Sequence, residues 1–225
     1  MSRLHGIDAI LFDFDGTLVQ LNVDFARMRA DVEALLPRYG FSAVEQTARY
    51  TLELVEEVAR KLAARHGDGA AETFRREAHA AITAVEMDAA NCARVHDGAS
   101  ALLQQLQRQG VKIAIVTRNC RAAVRRVMEQ CPLPHDLLLT RDDVTAVKPD
   151  PAHLSAALCR LDVAPERALM VGDHPLDVRA GCAVGVRTVA VLTGYSSREQ
   201  FAPELPDLIL ERVGELEKYL DDKTR

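Results

Sequence analysis

The chain has 225 residues, 48% of them hydrophobic, with 33 acidic against 28 basic side chains and a formal net charge of −5. That composition is ample for a globular core, and its mild acidity excludes the basic footprint of nucleic-acid or membrane-surface binding, so an anionic substrate has to be held by local groups. No apolar run reaches the roughly 18 residues that span a bilayer, and residues 1–6 lack a signal-peptide core, so a soluble, cytoplasmic protein is expected.

The first apolar run, Ile7–Phe12, reads as a strand and leads directly into Asp13-Phe14-Asp15-Gly16-Thr17-Leu18. Alternate side chains of an extended chain share a face, which puts Asp13 and Asp15 on one side near a strand end, with Gly16 allowing a sharp exit. Two neighbouring carboxylates repel. Either a bound cation keeps both ionised, or one keeps a proton and stands as an acid beside a nucleophile. On these six residues alone, an Asp-rich turn is an equally good reading.

The segment that follows is helical in pattern. Phe25, Met28, Val32 and Leu35-Leu36 recur at helical spacing, and Val44–Ala64 and Ala70–Ala90 are long, rich in alanine and free of proline. A block of roughly seventy residues is too long for one crossover between parallel strands, so residues 21–95 are expected to form an inserted all-helical cap domain in a core made of 1–20 and 96–225. Asp97-Gly98 supplies the turn at its return, and Ala99–Gln109 is a helix ended by Gly110.

From Val111 onward, strand-length apolar runs alternate with helical patterns. The runs are Val111–Val116, Leu137–Leu139, Ala168–Val171, Val186–Val191 and Leu208–Leu210; the helices between them are Arg121–Gln130, Pro151–Arg160 and Pro175–Ala183. This alternation predicts an α/β fold, a Rossmann-like parallel sheet with helices on both faces. Polar clusters stand where strands end: Thr117-Arg118-Asn119 after the second core strand, Lys148-Pro149-Asp150 before the helix after the third, and Gly172-Asp173 with Asp177 after the fourth. In an open α/β sheet the carboxyl ends of the strands line one crevice, so these clusters and the Asp13–Thr17 turn can converge there.

Other chemistries find little support. The five cysteines, Cys92, Cys120, Cys131, Cys159 and Cys182, are odd in number and form no CxxC pair, so reduced and mostly buried thiols are expected. The seven histidines show no HxxxH or HExxH spacing, which leaves oxygen ligands as the means of holding any metal.

Taken together, DxDGT at 13–17, Thr117, Lys148 and GDxxxD at 172–177 resemble the motif set of the haloacid dehalogenase-like hydrolase superfamily, over Ser2–Gln20 and His96–Arg225, with the helical insert similar to that family's cap. The resemblance implies that the first and fourth core strands lie side by side. It implies a Mg2+-dependent phosphatase of the phosphoglycolate phosphatase-like branch, acting on a small-molecule phosphate ester as a monomer or homodimer. Asp13 would be the nucleophile that forms an aspartyl-phosphate, and Asp15 the acid and then the base. Asp13, the backbone carbonyl of Asp15 and Asp173 would hold Mg2+. Thr117, Arg118 and Lys148 would bind phosphate together with the first amides of the following helix. Asp177, Gly16 and Thr17 would support them, Asp177 as acceptor for metal-bound water or for Lys148.

Arg118 stands where many relatives have Asn, which moves Asn119 one place on and makes Arg118 a rim ion pair or a contact for a second acidic group of the substrate. Selectivity is expected in the insert, among Arg27, Arg29, Arg49, Lys61, Arg65, Arg75 and Arg76. A sugar-phosphate mutase, phosphoglucomutase-like, would use the same four motifs and is the alternative. A 2-haloacid dehalogenase would leave Asp15, Asp173 and Asp177 without a task, and a non-catalytic binding module would have no need to keep all of them.

Overall fold

The structure, a computed structural model, describes residues 4–220. Residues 1–3 and 221–225, on which the leader expectation and the family resemblance partly fall, lie outside them. In chain order the elements are β1 (Ala9–Phe12), β2 (Val19–Gln20), α1 (Phe25–Glu33), α2 (Thr51–His66), α3 (Asp68–Ala90), β3 (Arg94–Val95), α4 (Ala99–Arg108) and β4 (Lys112–Val116). They continue with α5 (Arg121–Gln130), β5 (Leu137–Leu139), α6 (Pro151–Leu161), β6 (Ala168–Gly172), α7 (Pro175–Val184), β7 (Arg187–Val191), α8 (Arg198–Phe201) and β8 (Leu208–Leu210). The chain divides into two compact units, Met1–Leu21 with Ala93–Arg225, and Asn22–Cys92.

The first unit is built on a six-stranded sheet in the order β5-β4-β1-β6-β7-β8, every neighbouring pair parallel. Strand order reverses beside β1: the chain builds outward through β4 and β5, then returns to lay β6 on the other side of β1. That places a crevice at the carboxyl ends of β1 and β6. Period-2 alternation divides the strands between two buried faces. Ala9, Leu11, Ala114, Val116, Ala168 and Met170 pack with Leu154, Ala157 and Leu158 of α6 and Ala180 of α7 in one cluster. Ile10, Phe12, Ile113, Ile115, Leu169 and Val171 alternate with them and are equally buried, and α4 packs on β4. Burial on both faces explains why these strands read as continuous apolar runs.

β2 and β3 pair antiparallel as a short ribbon, Val19 opposite Val95 and Gln20 opposite Arg94, which carries the chain out of the core unit and back. The second unit is helical: α2 and α3 pack along each other, and α1 lies against both. Its interior is Met28, Val32, Leu54, Val55, Val58, Leu62, Phe74, Ala78, Ile82 and Val85, the apolar stripes of three amphipathic helices.

One expected helix is corrected here. Val44–Ala64 does not run unbroken: Ala43–Glu45 is a single 3₁₀ turn, and α2 begins only at Thr51. Ser42 and Glu45 close a capping box on that turn, and Gln46 is extended. Ala48 then donates its N–H to Glu57 and accepts a bond from Arg29, so long-range partners override the helical propensity of the segment. The cysteines are a second correction. Cys120 is buried, but Cys92, Cys159 and Cys182 are exposed and Cys131 is intermediate. No helix among the described residues is long and apolar enough to cross a membrane.

Candidate active site

β1 ends at Phe12, and the next backbone N–H, that of Asp13, donates to Val171 O at 2.8 Å, fixing Asp13 against the end of β6. The chain then turns back on itself. Leu18 and Val19 donate to Phe14 O at 3.0 Å, and Gly16 donates to Val19 O at 2.7 Å with φ +82°, a conformation that suits glycine. Within this turn the Asp15 carboxylate accepts the Leu21 N–H at 3.0 Å, and Thr17, fully buried, donates its hydroxyl to Asp173 Oδ1 at 3.3 Å.

Lys148 stands at the centre of the site. Its side chain is buried, and Nζ lies 2.6 Å from Asp13 Oδ1 and 2.7 Å from Asp177 Oδ1. One oxygen from each of Asp13, Asp173 and Asp177 lies within 4.8 Å of the others. Burial pushes the Asp13 carboxyl up to about 6; Lys148 opposes the rise and the charge of Asp177 adds to it. Asp173 is raised well above the usual carboxylate range by burial and by the charges of Asp13, Asp177 and Asp15. Burial works against the Lys148 ammonium, yet the charges of Asp13 and Asp177 overcome it and hold its pKa above the ordinary lysine value. These directions describe one condition: several buried carboxylates share one ammonium. Such a crowd of hard oxygen donors suits a divalent cation of the Mg2+ type.

Glycines make room for this packing. A Cβ on Gly172 would overlap the Asp177 carboxylate, which gives the first residue of the GDxxxD pattern its reason. The same Asp177 accepts the His174 N–H at 3.1 Å, closing the capping box that starts α7.

The Thr117 loop is braced from β5. Thr117 donates its N–H to Leu139 O at 2.9 Å, and its hydroxyl accepts the Asn119 N–H at 3.1 Å. Asn119 therefore bonds through its backbone. Arg141, buried, donates its N–H to Asn119 O and Nη1 to Arg118 O, both at 3.2 Å. Arg121 donates its N–H to Asp142 and pairs with Asp143, which anchors the start of α5 to the turn after β5. Cys120 caps α5, its Sγ accepting the Ala123 N–H at 3.4 Å, which is a structural task for the thiol nearest the site. His153, fully buried on α6, accepts the Lys148 N–H at 3.3 Å through Nδ1; burial and the Lys148 charge push its pKa down to about 3, so it stays neutral.

Asp13, Lys148, Asp173, Asp177 and Thr17 therefore meet in one cluster, with Asp15 and Gly16 in the adjoining turn. Thr117 and Arg118 stand at the end of β4, the strand beside β1. The candidates of the helical unit other than Arg76 have partners of their own: Arg27 with Asp88, Arg29 with Glu33, Lys61 with Glu57, Arg75 with Glu56, and Arg49 and Arg65 over the rings of Tyr50 and Phe41. Sequence reading passed over Arg141, Asp142, Asp143 and the Thr193-Gly194 pair. Thr193 donates its hydroxyl to Gly16 O, and Gly194 packs on Asp173. Burial and the charges of Asp15 and Asp173 push the neighbouring Tyr195 phenol up. The strand-end rule that singled out the other clusters applies equally after Leu139 and Val191, and would have found them.

Comparison with known proteins agrees with this geometry. The haloacid dehalogenase-like hydrolase family model matches residues 10–191. Pyrophosphatase PpaX of Bacillus thuringiensis (strain Al Hakam) is 30% identical over 97% of this chain and 99% of its own. The crystal structure of CbbY from Rhodobacter sphaeroides, in complex with phosphate, is 27% identical with a TM-score of 0.64, covering 93% of this chain and 96% of that one. A haloacid dehalogenase-like hydrolase structure from Bacteroides fragilis is 25% identical with a TM-score of 0.66, covering 93% and 99%.

Proposed function

The chain belongs to the haloacid dehalogenase-like hydrolase family, and from that premise we propose that it is a Mg2+-dependent phosphatase that cleaves a small-molecule phosphate monoester through an aspartyl-phosphate on Asp13. The observation that carries this reading is the buried Lys148, held between Asp13 and Asp177 at the crevice where strand order reverses. A lysine there favours the ionised form of the nucleophile and supplies fixed positive charge for phosphoryl oxygens.

In the first half-reaction the Asp13 carboxylate attacks phosphorus, the ester P–O bond breaks, and Asp15 gives its proton to the leaving oxygen. In the second, Asp15 takes a proton from the attacking water, the Asp13–phosphorus bond breaks, and phosphate leaves. The Thr117 hydroxyl and Lys148 hold the transferring group, whereas the amides at the start of α5, which the resemblance assigns to phosphate, are engaged within the fold, Arg121 N–H with Asp142 and Ala123 N–H with Cys120. Asp13, the Asp15 carbonyl and Asp173 are the groups assigned to Mg2+, which when bound offsets the negative charge of substrate and carboxylates. Asp177 anchors Lys148, Thr17 anchors Asp173, and Gly16 permits the turn. Arg118 is assigned to a second acidic group of the substrate, and the helical unit to the family's cap. The enzyme is taken as cytoplasmic, monomeric or homodimeric, with no nucleic-acid or membrane partner. The name of the 30%-identical relatives favours a second reading, cleavage of inorganic diphosphate by the same groups.

The test is phosphate release from glycolate, sugar and nucleotide phosphates and from inorganic diphosphate, with Mg2+ and with excess chelator. A monoester as best substrate supports the first reading, and diphosphate as best substrate replaces it with the second. Chelation and Asp13→Asn are each expected to bring release down to background; turnover that survives either one refutes the mechanism.

A further inference from the structure

Gly194 lies in the loop after β7, outside every motif that marks the site. An ideal Cβ built on it would stand 2.7 Å from Asp173 Cβ and closer still to Cγ and Oδ2. A Cβ on Gly16 would likewise fall 2.9 Å from Asp173 Oδ1 and closer to Cγ and Oδ2. The Asp173 carboxylate thus occupies a slot that exists because residues 16 and 194 carry no side chain, with Thr17 bonding one oxygen. The two glycines have different reasons to be there. Gly16 has φ +82°, so backbone conformation alone favours glycine; Gly194 lies outside that region, so alanine could adopt its backbone and only the collision forbids it. The loop is stapled to the same turn, since Thr193 donates its hydroxyl to Gly16 O.

We propose that Gly194 is a positioning residue: its bare backbone forms one wall of the slot that sets where the Asp173 carboxylate stands, and through it the affinity of the site for a divalent cation. The cation part of this rests on the metal assignment made above, whereas the steric part does not. An alanine at 194 would be accommodated by turning the short, buried Asp173 side chain out of the slot, away from Thr17 and Asp13. The fold has a way to relieve the clash, but the donor set has none.

The direct test is titration of the purified protein with Mg2+ followed by calorimetry. Gly194→Ala is expected to weaken binding by about 10–100-fold, the range seen when groups that orient metal ligands are removed. The half-saturating Mg2+ concentration for turnover should rise in parallel, with substrate KM at saturating Mg2+ unchanged. Gly69→Ala, on α3 with open space at the Cβ position, serves as control and is expected to leave binding unchanged. Unaltered Mg2+ affinity in Gly194→Ala overturns the proposal.

A thermal-denaturation cycle without metal tests the steric part separately, and covers the case in which Gly194→Ala folds poorly. Asp173→Gly removes the colliding atoms, so adding Gly194→Ala to it should cost no further Tm, whereas Gly194→Ala alone lowers Tm. Equal losses in both backgrounds would overturn the slot. If the parent protein takes up no Mg2+, the metal assignment fails and this cycle alone decides the role of Gly194.

Discussion

Lys148 in the core unit and Lys61 in the helical unit make ion pairs of the same length in opposite surroundings. Each ammonium lies 2.6 Å from a carboxylate oxygen, and each has a second acceptor, Asp177 for Lys148 and Gln46 for Lys61. The Lys148 side chain is 1% exposed and that of Lys61 is 37% exposed. Distance therefore does not rank the two; the medium does. Water screens Lys61 and Glu57, whereas Lys148 meets Asp13 and Asp177 in a buried site where screening is weak. Lys61 decorates a surface, and Lys148 is confined where it can act on a substrate.

Lys148→Met should break this contrast most severely, leaving Asp13 and Asp177 buried without a cation. The expected loss is about 3–5 kcal/mol in denaturant-unfolding free energy, together with phosphatase activity. A loss under about 1 kcal/mol would mean that the pair is wetter than its burial indicates.

An intermediate case is Asp143, partly buried in the brace behind Thr117. Burial alone would raise its carboxyl, but hydrogen bonds from Arg121 and from the Thr140 hydroxyl and N–H, with the charge of Arg121, hold it down to about 2. A depressed folded-state pKa contributes stability that is fully present above the unfolded value of 3.8 and is lost as pH falls toward about 2. The contribution is about 2 kcal/mol at neutral pH. Asp143→Asn should therefore unfold more easily than the parent at pH 7, with the gap closing over that acid window; a gap independent of pH would assign the effect to packing.

The smallest effect belongs to Lys61→Met, expected to cost about 0.3–0.5 kcal/mol and to shrink further in molar salt. A loss comparable to that of Lys148→Met would erase the distinction between the units.

The parts of this molecule that were legible in the sequence are those whose cause is local. Ala168–Val171 lies wholly within a strand because a parallel strand buried on both faces needs an unbroken apolar run, and Pro151 and Pro175 begin their helices because proline fits a first turn. Asp13, Thr117 and Asp173 were legible because each directly follows a strand, and Lys148 because it precedes a proline-started helix. What escaped was decided by contacts across the chain. Residues 46–50 carry no local sign against helix, yet Glu57 and Arg29 draw Ala48 out of it. Gly194 reads as an ordinary loop glycine until Asp173, far away in sequence, is laid against it. Arg141 carries no local sign of burial, and its value lies in the two carbonyls it holds at Arg118 and Asn119.

The β2–β3 ribbon has a consequence for the history of the chain. Because Gln20 pairs with Arg94, the segment between them leaves and re-enters at neighbouring points, and a tight turn could close the same ribbon. No strand of the six-stranded sheet lies within Asn22–Cys92. The ribbon is thus a splice junction, where a segment of another length could be exchanged without rethreading the sheet.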